Sequence, residues 1–190
     1  MFQWLKRKAE TQRIGHDIYE RIVAQARNPV FFRDMGVPDT MEGRFEMIVL
    51  HLSLVLDRLK TEGPPGQRLG QRLMEHLITD MDDALRQIGI GDMGVPRRVK
   101  KTAAAFVERS KDYMDGLSLD AAKAGQSKDK LEAALLRHVY GASDVVPAAI
   151  YTPSAVKLAA YTRQAAAHLG KVAPDDLFDG RGLFPAPSVA

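Results

Sequence analysis

Apolar residues recur three and four positions apart along most of the chain, whereas stretches that alternate apolar and polar residues are almost absent. The pattern is clearest over residues 42–60, where one broad apolar stripe predicts a helix, and it returns over residues 67–88. The intervening segment EGPPG at 62–66 is rich in glycine and proline, which predicts the end of the first helix. Because this link is short, the two helices are predicted to pack as an antiparallel hairpin.

The same spacing predicts four further helices and a domain limit. One covers about residues 5–26, with Ile18, Ile22 and Ala26 facing inward, and residues 116–125 are interpreted as a break or a weak helix. The remaining helices are predicted after Pro96, at 128–140 and at 154–168. The predicted fold is therefore all-α, a single helical domain of about six to seven helices over residues 1–179 around the central hairpin, with a flexible tail at 180–190.

Composition excludes several kinds of chemistry. The 190 residues, 45% of them hydrophobic, suffice for one core, and the absence of cysteine excludes disulfides, thiol nucleophiles and thiolate metal sites. The most hydrophobic run, Met47 to Leu56, is far shorter than the roughly 20 residues that span a bilayer. The first residues lack the apolar stretch of a secretory signal, so the protein is expected to work in the cytoplasm, where it is made.

Two motifs resemble sites without completing one. The glycines of GIGDMG at 89–94 have the spacing of a dinucleotide-binding loop, but they follow a helical pattern rather than the strand that such a loop requires. His76 and Asp80 share a helical face without the further ligands of a metal site. His51 has no serine or carboxylate set beside it by the sequence and is interpreted as a packing residue. No catalytic residue, metal or cofactor is predicted, and the protein is not expected to be an enzyme.

The pentapeptide DMGVP occurs twice, at 34–38 and 92–96, each time before a predicted helix. Glycine allows positive φ and proline presets the first helical turn, so the repetition is interpreted as shared turn chemistry rather than as a repeat.

Although the formal charge of the whole chain is only +3, basic residues are concentrated between residues 86 and 111. A cluster at the start of a helix opposes the helix dipole, which suggests a function. It would suit phosphate groups of ribosomal RNA or lipid headgroups, or it would pair with the acidic residues at 80–83; a solvated face is the simpler alternative. No aromatic residues are interleaved, so sequence-specific nucleic-acid binding is not expected. The cluster consists of Arg97, Arg98, Lys100 and Lys101.

Three stretches carry a family resemblance: PDTMEGRFE at 38–46, DMDDALRQIGIGD at 80–92 and VPRRVKK at 95–101. They resemble the signature stretches of the ubiquinol-cytochrome c chaperone family, and the similarity covers about residues 19–117. The resemblance implies an all-helical, non-catalytic domain that binds newly made cytochrome b during biogenesis of ubiquinol-cytochrome c reductase, respiratory complex III. Mitochondrial members act with a small partner protein near the ribosomal exit, whereas this chain begins at the domain, as a bacterial-type member would.

The predicted function is therefore that of an assembly chaperone whose partner is cytochrome b or another complex III subunit. The alternative is a helical adaptor that binds the ribosome or an anionic membrane surface through the basic turn, with peripheral attachment to the inner membrane. The predicted partner-binding residues are Arg44, Asp80, Asp82, Arg86, Arg97, Arg98, Lys100 and Lys101.

Overall fold

The structure is a computed structural model that describes residues 2–87, 95–122, 128–141 and 148–188, with side chains for 13–84, 103–118, 130–141 and 148–188. Every regular element in these ranges is an α-helix, which confirms the all-α fold class. Two helices, α2 and α8, are only five residues long, and the others correspond to the six predicted segments. The helices are α1 (Phe2–Ala26), α2 (Pro29–Arg33), α3 (Met41–Lys60), α4 (Gly63–Gln87), α5 (Val95–Ala122), α6 (Lys128–His138), α7 (Ala148–Leu169) and α8 (Pro174–Phe178).

The predicted hairpin is formed by α3 and α4, which pack against each other across a link of two residues. The second helix begins at Gly63, earlier than predicted, because prolines are tolerated in a first helical turn, where their missing N–H is not needed. Arg58 anchors the tip of the hairpin: its guanidinium pairs with Glu62 and donates to the carbonyl oxygens of Leu169 and Val172, both at 3.1 Å.

Helix α3 lies at the centre of the fold and packs against α1, α4, α5 and α7. Residues 46–55 are all buried, so the helix is enclosed on every face along this run. No helix in the described ranges is long and apolar enough to cross a membrane.

His51 belongs to this buried run and is satisfied by hydrogen bonds. Its Nδ1 lies 2.7 Å from the Met47 carbonyl oxygen and its Nε2 lies 2.8 Å from the Tyr161 hydroxyl, which accepts in turn from Gln25. Neutral imidazole fits these partners, since one nitrogen donates to the carbonyl and the other accepts from the hydroxyl. Complete burial lowers the pKa of His51 to about 4, so the ring is uncharged at neutral pH.

Helix α5 continues through residues 116–122, where the sequence was interpreted as a break or a weak helix. Of the two alternatives, the break is absent over residues 116–122, and residues 123–125 lie outside the described part of the chain. Gly116 serves a helix contact. A Cβ at this position would lie 2.8 Å from the Cα of Leu131 in α6, so glycine permits the two backbones to approach closely. Asp112 adds a polar link to the same interface by accepting from Arg137 and His138 at 2.9 Å.

The residues after α8 pack against the core as far as Pro185. Leu183 is buried, and the ring of Phe184 meets the His51 ring edge-on with 5.0 Å between centroids. The carbonyl oxygen of Pro185 accepts from Gln25 Nε2 at 3.1 Å. The sequence placed a flexible tail at 180–190, whereas these contacts join residues 183–185 to the core; the division into a domain and a tail stays a prediction.

The first DMGVP copy forms the turn between α2 and α3. Gly36 has a φ of +63°, and Met35 and Val37 on either side are buried, so the turn is held by its apolar neighbours. The second copy falls mostly outside the described residues, as does the glycine motif at 89–94.

Candidate functional site

The stretch PDTMEGRFE forms the first turns of α3 and the end of the turn that precedes this helix, and the two are in close contact. The Thr40 hydroxyl caps the helix by accepting from the Gly43 amide at 3.1 Å. A Cβ on Gly43 would lie only 2.1 Å from the carbonyl oxygen of Pro38, so this position requires glycine. Arg44 Nε then pairs with Asp39 Oδ1 at 2.6 Å. The stretch therefore sets the position of the first turns of α3, on which one wall of a groove is built.

The groove lies between α1, α3 and α4 and has a volume of about 630 Å³; we call it the α1–α3–α4 groove. Its floor consists of Ile48 and Leu77, which are buried core residues. Phe45 and Met81 are half-buried in its walls, and Met41 at the rim is 56% exposed. Methionine is unbranched and polarisable, so it adapts to irregular apolar partners. The groove therefore offers an apolar surface that fits an apolar partner.

Charged and polar groups line one side of this groove. The Tyr19 hydroxyl donates to Asp80 Oδ2 at 3.0 Å, which brings α1 and α4 together. Burial, together with the charge of Asp80, raises the pKa of Tyr19, so the phenol stays protonated and remains a donor. The His76 ring stacks on Tyr19 with 5.7 Å between centroids and supports it from α4. Asp80 is thus held in a defined position at the groove surface.

A second cavity of about 530 Å³ adjoins the groove and shares Arg27, Asp39 and Arg44 with it. Pro29 and Phe32 supply its apolar lining. Three arginines, Arg27, Arg33 and Arg44, line this cavity, and among the described residues Asp39 is the one acidic residue that lines it. We call it the arginine pocket.

A buried ion pair joins α3 to α5 one residue beyond Phe45. Arg109 Nε donates to Glu46 Oε1 at 2.7 Å, although Glu46 is only 5% exposed. Burial raises the pKa of Glu46 to about 7 despite the opposing charge of Arg109. Neither Glu46 Oε2 nor the buried Tyr113 hydroxyl has a hydrogen-bond partner among the residues that the structure describes. This carboxyl group is therefore poorly solvated and sensitive to protonation.

The structure brings together two of the residues predicted to bind a partner. Arg44 and Asp80 both line the α1–α3–α4 groove. Asp82 is half-buried on α4 and is not among the groove residues. Arg86 lies on α4, and its side chain is outside the described part of the structure. The same holds for the basic residues on α5, namely Arg97, Arg98, Lys100 and Lys101.

Sequence reasoning missed Tyr19, Arg27, Met41 and Phe45 as groove residues. Tyr19 lies on α1 and Arg27 lies in the turn directly after it, outside all three signature stretches, and no local motif marks them. Met41 and Phe45 lie inside the first signature stretch, so its exposed apolar positions were a usable signal. Arg44 also bridges a turn, because its ion pair with Asp39 spans the start of α3.

A family model for the ubiquinol-cytochrome C chaperone matches residues 33–184, which is most of the chain and includes the whole first signature stretch. The chain belongs to the ubiquinol-cytochrome c chaperone family. The predicted family resemblance is thereby confirmed, and family membership suggests a non-enzymatic role.

A solved structure supports the same assignment. The chain is similar to the Cbp3 homolog from Brucella abortus, whose crystal structure matches it with a TM-score of 0.79 and 35% sequence identity. The match covers 97% of this chain and 96% of the other. The search of curated proteins found no match. The family and the fold are therefore established by two independent comparisons.

Proposed function

We propose that this protein is an assembly chaperone for ubiquinol-cytochrome c reductase and that its α1–α3–α4 groove holds an apolar segment of cytochrome b during assembly. Membership of the chaperone family is the observation that carries the proposal. The groove supplies a physical means, since Met41, Phe45 and Met81 present apolar surface beside the charged groups of Arg44 and Asp80. We place this activity in the bacterial cytoplasm, next to the inner membrane into which the client is inserted.

The dimensions of the groove suit partial and reversible contact. A volume of about 630 Å³ is within the range of roughly 300 to 1,000 Å³ that is typical of ligand sites, and it suits a few side chains of one helix face. An occupant would cover the exposed Met41 and the half-buried Phe45 while its backbone remained outside. Such a contact protects apolar residues of the client from aggregation and still permits release into the assembling complex.

Capture of the client tests the proposal. Tagged protein purified in mild detergent should retain cytochrome b, and Met41→Asp should lose it because a carboxylate at the rim opposes apolar contact. Met41 is 56% exposed, so the substitution should leave the fold intact, which circular dichroism would verify. Val107→Asp is the matched control, since Val107 is a 64% exposed apolar residue on α5 that does not line the groove. Failure of the unmodified protein to retain cytochrome b, or equal retention by the Met41 variant, would contradict the proposal.

The adaptor alternative remains a separate proposal that rests on the basic cluster in the first turns of α5. Replacing Arg97, Arg98, Lys100 and Lys101 together by Glu should abolish co-sedimentation with ribosomes or anionic liposomes. Unchanged sedimentation would argue against an adaptor and leave the chaperone proposal untouched.

A further inference from the structure

We propose that the arginine pocket binds a carboxylate group of the client, so that the recognised segment is apolar with an acidic residue beside its apolar face. This inference rests on the proposed function, because it specifies the chemistry of the segment that the α1–α3–α4 groove holds. It starts from the charges that line the two adjoining cavities.

Arg27 is the first support for this assignment. Its side chain is exposed, lines both the groove and the arginine pocket, and forms no ion pair with a carboxylate in the described ranges of the chain. The guanidinium group carries donors in a planar fork that matches the two oxygens of a carboxylate. Arg27 is therefore a cation at the groove surface whose donors are open to a partner.

The other two arginines of the pocket are held only by exposed pairs. The side chains of Arg44 and Asp39 are each 58% exposed, and the side chain of Arg33, which pairs with its neighbour Asp34, is 71% exposed. Exposed pairs of this kind contribute little stability, so either arginine can turn towards a new carboxylate at small cost. With three arginines against the carboxylates of Asp39 and Asp34, the pocket keeps a small excess of positive charge.

The surroundings determine where an acidic group of the occupant would lie. Asp80 lines the groove but not the arginine pocket, and its carboxylate is held by the Tyr19 hydroxyl, so an acidic group near Asp80 would be repelled. At the arginine pocket the same group meets cations over an apolar lining of Pro29 and Phe32. A segment with its carboxylate in the arginine pocket therefore places its apolar residues in the adjoining groove.

The excess of positive charge in the arginine pocket is small, which favours binding of a single carboxylate over binding of a membrane surface. Aspartates 34 and 39 stand among the three arginines and would oppose a surface of many phosphates, whereas one carboxylate needs only one or two free guanidinium groups. We therefore assign the pocket to an acidic residue of the client and leave lipid binding as an outcome of the test.

Matched peptides provide the test on the full-length protein. Two fluorescein-labelled helical peptides share one apolar face and differ only in a single Glu or Gln near one end; a second pair carries the same difference near the other end. Dissociation constants are measured by fluorescence anisotropy at low ionic strength. We expect one Glu peptide to bind about five-fold more tightly than its Gln counterpart, the upper range for an exposed ion pair.

Substitution in the protein then separates recognition from folding. Arg27→Gln should remove most of the preference for Glu while leaving the affinity for the Gln peptide unchanged. Arg21→Gln is the control, since Arg21 is an exposed arginine on α1, shortly before Arg27, that lines neither cavity, and it should keep the preference.

Several results would overturn the inference. Equal binding of both Glu peptides and their Gln counterparts would exclude carboxylate recognition and leave an apolar groove in place. An equal loss of affinity for both peptides in the Arg27 variant would show that Arg27 acts on the groove and not on a carboxylate. Binding to phosphatidylglycerol vesicles that depends on Arg27, without any preference for Glu, would assign the pocket to lipid phosphate. Absence of binding by any peptide would contradict this inference, whereas retention of cytochrome b in the capture experiment would still support the groove.

Discussion

Replacement of Glu46 by Gln is expected to make the protein more stable than the unmodified protein at alkaline pH and to remove the contribution of Glu46 to the pH dependence of stability. Glu46 is 5% exposed and pairs through one oxygen with Arg109, while its other oxygen has no partner in the described part of the chain. Gln keeps the volume and an oxygen that accepts from Arg109, but it carries no charge that burial would penalise.

The magnitude follows from the raised pKa. A pKa of about 7 in place of the ordinary 4.5 corresponds to roughly 3 kcal/mol of preference for the neutral carboxyl group in the folded state. Because the folded state holds this proton more tightly than the unfolded state, the stabilisation is complete below about pH 4.5 and is lost as the pH rises through about 7. At pH 8.5 Glu46→Gln should therefore exceed the unmodified protein in free energy of unfolding by about 1 to 3 kcal/mol, since Arg109 loses a counterion but remains partly solvated.

Urea unfolding followed by circular dichroism at pH 5.5, 7.0 and 8.5 measures this difference. Glu42→Gln is the control, since Glu42 is an exposed residue in the first turn of the same helix and should leave the pH dependence unchanged. If Glu46→Gln instead loses stability at pH 8.5, or keeps the pH slope of the unmodified protein, the carboxylate is ionised throughout and the ion pair with Arg109 outweighs burial.

Two further substitutions test the core and the start of α3. Burial lowers the pKa of His51 to about 4, so the contribution of His51 to stability should fall by up to about 3 kcal/mol as the pH drops from 6.5 towards 4, opposite in sign to the contribution of Glu46. His51→Gln should therefore be less destabilised by acid than the unmodified protein in a titration followed by circular dichroism. Gly43→Ala would place a Cβ 2.1 Å from the Pro38 carbonyl oxygen and should cost about 2 kcal/mol or more in urea unfolding, whereas Gly170→Ala, with 3.6 Å of clearance, should change stability by less than about 1 kcal/mol. An unchanged acid slope in the first variant, or equal effects of the two alanines, would contradict these assignments.

Most of the fold could be predicted because apolar periodicity is a local property of the sequence. The apolar stripe over residues 42–60 and the short link to the next helix predict the hairpin that α3 and α4 form. The sequence left open whether residues 116–122 form a break or a helix, for a different reason. Glycine in a helical segment is compatible with either a break or a close helix contact, and only the position of Leu131 in α6 shows that Gly116 makes the contact.

The candidate site was predictable only where a motif marked it. Arg44 and Asp80 belong to the signature stretches and lie in the groove, whereas Arg27 lies in the turn after α1, where no motif in the sequence marks it. Glu46 lies within the first stretch, but its ion-pair partner, Arg109, is 63 positions further along the chain. Contacts of this length depend on how the helices pack, which the local pattern does not contain.

The contacts of His51 have a consequence for the order in which the protein can mature. Tyr161 and Phe184 complete the surroundings of this histidine, and Gln25 binds both the Tyr161 hydroxyl and the carbonyl oxygen of Pro185. During synthesis, Leu183 and Phe184 are the last core residues to be made. Until they emerge from the ribosome, the centre of α3 remains partly uncovered, so the protein reaches its closed core only after Phe184 has been translated.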